Sequence, residues 1–176
     1  MTLNLVDLNE RVRQFMVDEL NLDLEAGTLY RSERLTEDGW DKYHGLLRDA
    51  VVEGNDESLA QCLRSGKCMV AMEMTTRRGK LVATRVPVNA CQTLAEGEFN
   101  RFYLRGLCRC ATEDGIDHLI IYRAKQVRQP RPDSFRLLGK AIDAHALLER
   151  ARADPRVDLA LGLPHGPNSG LSARLP

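Results

Sequence analysis

The sequence predicts an α+β fold: N-terminal helices, a small sheet of about three strands, a long helix packed on it, a C-terminal helix and an extended C-terminal arm. Three observations predict it. Between residues 88 and 125, Phe99, Phe102, Tyr103, Gly106, Leu107 and Cys110 recur at the spacing of one buried helical face, and the strongest apolar run, IDHLIIYR, follows. From Lys67 the period changes to two, because Cys68, Val70, Met72 and Met74 alternate with Met69, Ala71, Glu73 and Thr75. The closing GPNSGLSARLP holds too much Gly and Pro for a helix, yet Leu171, Ala173 and Leu175 alternate with Ser172 and Arg174 as a strand would.

In chain order, Asp7 is placed to cap a first helix with Leu8, Val12, Phe15, Met16 and Leu20 inward. The stretch 21–35 lacks a period and reads as a connection. Thr36 caps a second helix with Trp40, Tyr43, Leu47, Ala50 and Val51 inward, and Gly54 ends it. A third runs to Ser65 with Leu59, Cys62 and Leu63 inward. Residues 77–80, Arg-Arg-Gly-Lys, form a tight turn between strands, the second at 81–86 before Pro87. The helix 91–114, capped by Asn89 or Thr93, closes at Gly115, and Gly106 admits a close neighbour. Strand, helix and strand (81–86, 91–114, 118–125) fit a right-handed crossover with the two strands parallel. A basic loop, 126–133, is held extended by Pro130 and Pro132, and a turn begins at Asp133 or Ser134. Asp143 caps the last helix, anchored by Leu147 and Leu148, and Asp154-Pro155 stops it. One domain is expected over 1–160, acidic and helical in 1–66 and basic in 67–160, with the arm over 161–176.

At 176 residues, with 43% hydrophobic and 28% charged side chains, the chain has the composition of a soluble globular protein. No apolar run approaches the ~20 residues of a membrane span, and the N-terminus lacks a secretory pattern, so a cytoplasmic location is expected, or a particle assembled there. The five cysteines match no zinc pattern and read as buried, reduced thiols. The net charge of zero hides a gradient: residues 1–66 hold 7 Lys/Arg against 14 Asp/Glu, and residues 67–136 hold 13 against 7. Such halves attract one another, within one molecule or between copies.

No catalytic motif is readable, and no cofactor or metal is expected. The four histidines show no ligand spacing, and the 77–80 turn lacks a phosphate-loop pattern. Glu73 with Arg123 and Lys125 lacks the paired carboxylates of a metal-dependent nuclease. Glu96, Glu98, Arg101, Arg105 and Arg109 make a candidate acidic–basic site on the central helix. Three arginines at four-residue steps repel one another unless an anion meets them, and the acidic N-terminal third can supply it.

These features fit a non-enzymatic assembly protein that oligomerises or docks on a larger complex through complementary charge and its C-terminal arm. Phage-type particle components are built this way, an analogy of architecture only. Partner-binding residues are then Leu171, Ala173, Leu175, Arg78, Arg101, Arg105 and Arg109, and the partners are further copies or a larger protein assembly. The alternative is a nucleic-acid-associated protein gripping phosphate with a basic band: Arg77, Arg78 and Lys80, the three helix arginines, and the loop from Arg123 to Arg136. An enzyme would need a buried, polar, concave pocket with shifted titrating groups.

Overall fold

A computed structural model describes residues 2–164 and 169–176; His165, Gly166 and Pro167, which by composition read as a turn, lie outside them. The class is α+β, with seven helices and two small antiparallel sheets among the described residues. Helix α1 (Glu10–Ala26) is capped by Asn9, whose side chain accepts from Val12 N at 3.0 Å. Asp7 is not the cap; it accepts instead from Leu175 N at 2.8 Å. The helix also runs past Leu20 through the stretch expected to be a connection, ending at Gly27 in the left-handed region (φ 65°). The apolar repeat Val12, Met16, Leu20 continues there as Asp23, a carboxylate in a core position, which breaks the hydrophobic pattern without breaking the helix.

Helix α2 (Glu37–Val52) is capped by Thr36, and α3 (Asp56–Ser65) by a reciprocal Asn55–Ser58 box. In α3 the inward residues are Leu59, Ala60 and Leu63, whereas Cys62, expected inward, is exposed. Cys62 falls on the free side because Ala60 takes the contact with the core. The other four cysteines are buried and all five are free thiols; burial pushes the Cys108 thiol up to about 12.

Strands β1 (Met72–Arg77) and β2 (Lys80–Arg85) make a two-stranded hairpin, turning through Arg78 (φ 49°) and Gly79 (φ 76°). Helix α4 (Ala90–Glu113) follows, then strand β3 (His118–Arg123), short helix α5 (Pro132–Leu137), β4 (Ala141–Asp143), α6 (Ala144–Ala153), the single turn α7 (Val157–Ala160) and β5 (Leu171–Arg174). The expected three-stranded sheet with a parallel crossover does not form. β3 lies between β4 and β5, antiparallel to both, and the hairpin is a separate sheet. Both edges of β3 are thus taken by strands from the C-terminal part of the chain, which leaves none for β2.

α4 is the element around which the others pack: α1, α3 and α6 lie against it, with β3 and β5 behind. It is buried nearly all round, and its last turn is followed by Gly115 (φ 68°). A Cβ on Gly106 would stand 2.8 Å from Val12 O and from Met16 Cγ, so this glycine sets how close α1 comes to α4. Gly106→Ala is therefore expected to destabilise the fold by about 1–3 kcal/mol, the cost of overpacking, measured by urea denaturation. A neutral or stabilising result would show that the contact can relax.

Candidate functional site

The arginine ridge of α4 faces inward, against α1. Arg105, 1% exposed, donates from Nε to Glu19 Oε2 (2.9 Å), from Nη1 and Nη2 to the two oxygens of Asp23 (2.7 and 2.8 Å), and from Nη2 to Glu19 O (3.2 Å). Arg101, also buried, donates to Glu98 Oε2 (2.8 Å) and Asp23 Oδ2 (3.3 Å). Both guanidiniums stack on Phe102. Arg109, half-buried, reaches Asp18 and lies over Phe15, and Arg152 from α6 closes the network on both oxygens of Glu19. Burial raises the Glu19 carboxyl, but Arg152 and Arg105 together outweigh it and leave it below its ordinary value. Arg101 and Arg105, expected to meet an outside partner, are thus withdrawn from the surface. Their anionic partner is the acidic first helix of the same chain.

The C-terminal arm is likewise used within the chain. Leu171 and Ala173 are buried at 2% and 0% exposure, and Leu175 is half-buried. β5 pairs along β3, matching Ile121 with Ala173 and Tyr122 with Ser172. Asn100 of α4 fixes it from below, donating to Leu171 O (2.9 Å) and accepting from Ser172 Oγ (2.7 Å). The expected docking limb is an internal strand, because the apolar face of β3 needs a neighbour on that edge. The basic loop is also largely occupied: Arg123 donates to Ser169 O, Lys125 pairs with Glu96, and Arg131 with Asp158.

Of the residues marked for binding, Arg78 alone remains fully outward. It sits at the tip of the β1–β2 hairpin beside Arg77 and Lys80, with Arg85 at the base; all four are exposed and form no ion pair among the described residues. Among the described residues the hairpin's strands pair only with one another. One face turns to the body, where Arg34 holds Glu73 at 2.7 and 3.0 Å. The other carries Met72, Met74, Ala83 and Leu81 into solvent; Met74 is 62% and Leu81 70% exposed. A hairpin alone is marginally stable in water, and an apolar face on one is a surface awaiting cover.

A second feature was not anticipated as a cavity. A cleft of about 1010 Å³ lies across the N-terminal half of α4, bounded by Ser32 and Arg34, by Lys125, by residues 155–158 and by residues 169–171. Its floor includes Leu94, Gly97 and Asn100, with Glu96 and Glu98 to either side. Two of the stretches that border it, 93–100 and 169–171, are far apart in sequence. Burial pushes the Glu98 carboxyl up, against the opposing pull of Arg101 and the nearby Tyr43 hydroxyl. That hydroxyl is itself buried without a well-formed hydrogen bond. Gly97 lies in the helix interior with nothing within 4 Å of where its Cβ would be. Packing therefore gives no reason for a residue that costs a helix about 1 kcal/mol relative to Ala. The mid-helix glycine between two glutamates was the available sequence signal for the cleft.

Among the described residues, no three His, Cys, Asp or Glu side chains converge as a metal ion would require. No helix among them is long and apolar enough to cross a membrane. Compared with known proteins, the chain matches no family model, no curated protein and no solved structure.

Proposed function

We propose that this chain is a non-enzymatic assembly protein whose copies join head to tail, the β1–β2 hairpin of one docking on the acidic outer face of α2 in the next. The carrying observation is the hairpin: a two-stranded projection with an apolar outer face and four cations that join no ion pair among the described residues. The same chain carries its complement. Asp41, Asp49 and Glu53 are exposed on or just beyond α2 and join no ion pair among the described residues, and beside them Val52 is 47% exposed. Opposite charge around apolar centres is the pattern of a specific interface. A hairpin meeting a different surface is a heterologous contact, which builds rings or filaments; a particle component is the class of protein this serves.

Arg78 supports the reading. Position one of this turn takes a left-handed φ, where Asn, Asp or Gly is favoured. A strained arginine there has its use in what it touches. Phosphate backbone is the second candidate partner for the tip, but Arg101 and Arg105, needed for a wide basic band, are buried, and an apolar face has no use against phosphate.

Light scattering tests the proposal. The wild type is expected to exceed 19.8 kDa at low salt and to lose mass as salt screens the contact. Met74→Asp with Leu81→Asp is expected to return a 19.8 kDa species with an unchanged circular dichroism melt. A wild type that is monomeric at low salt overturns self-assembly; if it is also retained on heparin through Arg78, nucleic acid takes the partner's place.

A further inference from the structure

Sulfur is concentrated on the bare face of the hairpin. Of the five methionines in the chain, three fall between positions 69 and 74. Their surroundings differ. Met69 is half-buried beside Leu35, its bridge partner, whereas Met72 and Met74 stand outward at 49% and 62% exposure. Met16, packed on Gly106, is fully buried. Val or Ile would suit a strand that had only to present apolar surface. What methionine adds is a thioether sulfur that yields two electrons to an oxidant.

We propose that Met74, with Met72 beside it, is an oxidation site at which a peroxide switches hairpin docking off; the switch rests on the hairpin–α2 contact proposed above. The sulfur attacks one oxygen of hydrogen peroxide, the O–O bond breaks and a sulfur–oxygen bond forms. The proton of the transferred oxygen passes to the departing one, which leaves as water. Sulfur is oxidised by two electrons and the peroxide is reduced by the same two.

The product is a polar acceptor in the middle of an apolar face. Met74 has Ala83 opposite it in the register, with Leu81 and Arg85 on its diagonals. The α2 face it would meet carries Asp41, Asp49, Glu53 and Val52, which offer a sulfoxide oxygen no side-chain donor. The exposed cations of α2, Lys42 and Arg48, are already bonded to Asp38 and Asn21. A donor drawn from Arg85 is one withdrawn from the acidic face. Docking an oxidised hairpin therefore buries an unpaired acceptor or costs the contact a cation.

Hydrogen peroxide treatment of the full chain at high salt, where the contact is open, followed by return to low salt, tests this. A Cys62→Ser background removes the exposed thiol. Peptide mass mapping is expected to find one added oxygen at Met74 and Met72 before Met69 and Met16. Light scattering at low salt should then fall to 19.8 kDa, each sulfoxide weakening association by about tenfold or more, with an unchanged circular dichroism melt. Methionine sulfoxide reductases for both epimers, with dithiothreitol, should restore the mass, and dithiothreitol alone should not. Met72→Leu with Met74→Leu should associate and keep its mass through the same treatment; if that variant fails to associate, the reductase arm decides. Oxidation of Met69 or Met16 ahead of Met74, an assembled mass that survives oxidation of both outward sulfurs, or a leucine variant that dissociates as the wild type does overturns the proposal. Each of these leaves the hairpin interface standing. Untreated protein already at 19.8 kDa in low salt overturns the docking reading instead, and the switch falls with it.

Discussion

Arg105→Ala is expected to remove about 3–5 kcal/mol of folding stability, the cost of breaking a buried ion network from one side. Domains of this kind hold about 5–15 kcal/mol in all, so the variant should sit near the edge of folding. The reason is geometric. Arg105 makes four donor contacts to Glu19 and Asp23 at full burial, and its loss leaves buried Glu19 to Arg152 alone among its close partners and Asp23 to a single 3.3 Å contact from Arg101. Arg105→Lys should recover little, because a point charge cannot span both acids. The loss, read by urea denaturation, should persist at 1 M salt, where exposed pairs such as Lys42–Asp38 are screened.

The network also sets the response to acid. Glu19 lies below its ordinary value in the folded chain. Its contribution is therefore whole above the unfolded glutamate value, near 4.3, and is lost as pH falls through the lower folded value. Glu98, raised by burial, acts in the opposite sense: its contribution is present below the unfolded value and is lost as pH rises through the folded one. Glu19→Gln should flatten the acid limb of a stability–pH curve. An unchanged limb would show that other carboxylates govern acid unfolding.

Ala173→Asp is the second large effect, expected at about 3 kcal/mol or more. Ala173 is fully buried opposite Ile121, and a carboxylate there has no donor beyond the ladder. Removing residues 169–176 should do more, since it exposes an edge of β3 and leaves the Asn100 amide without Leu171 O and Ser172 Oγ. Both are read by thermal melts of the monomeric hairpin variant, which separates folding from association. A stable truncated chain would mean that the arm is dispensable to the fold.

The helices were legible where a face repeats and a cap stands before it. Thr36 and Asp143 cap as expected, accepting from Gly39 N and Ala146 N, and Gly106 and Gly115 serve the close approach and the helix stop that their positions implied. The path of α1 beyond Leu20 was not, because Asp23 is core only in company with Arg101 and Arg105, residues some eighty positions away. Sheet pairing was hidden for the same reason. Alternation marks Met72, Met74, Leu171 and Ala173 alike as strand, but says nothing of which strand accepts them. The ridge Arg101, Arg105, Arg109 reads as a solvated face by spacing alone; the charge gradient between the first and middle thirds was the better guide. Of the candidate surfaces, the hairpin tip was visible as four basic or glycine residues at a turn. Its bare apolar face became evident once β3 was seen to pair elsewhere.

Charge exchange between two variants tests head-to-tail docking most directly. Arg78→Glu with Lys80→Glu spoils the hairpin tip, and Asp49→Lys with Glu53→Lys spoils the α2 face. Each variant alone should scatter as 19.8 kDa, and an equimolar mixture should associate again, alternating the reversed pair with the native one, to at least twice that mass. A mixture that stays at the monomer mass, or variants that associate as the wild type does, would contradict it.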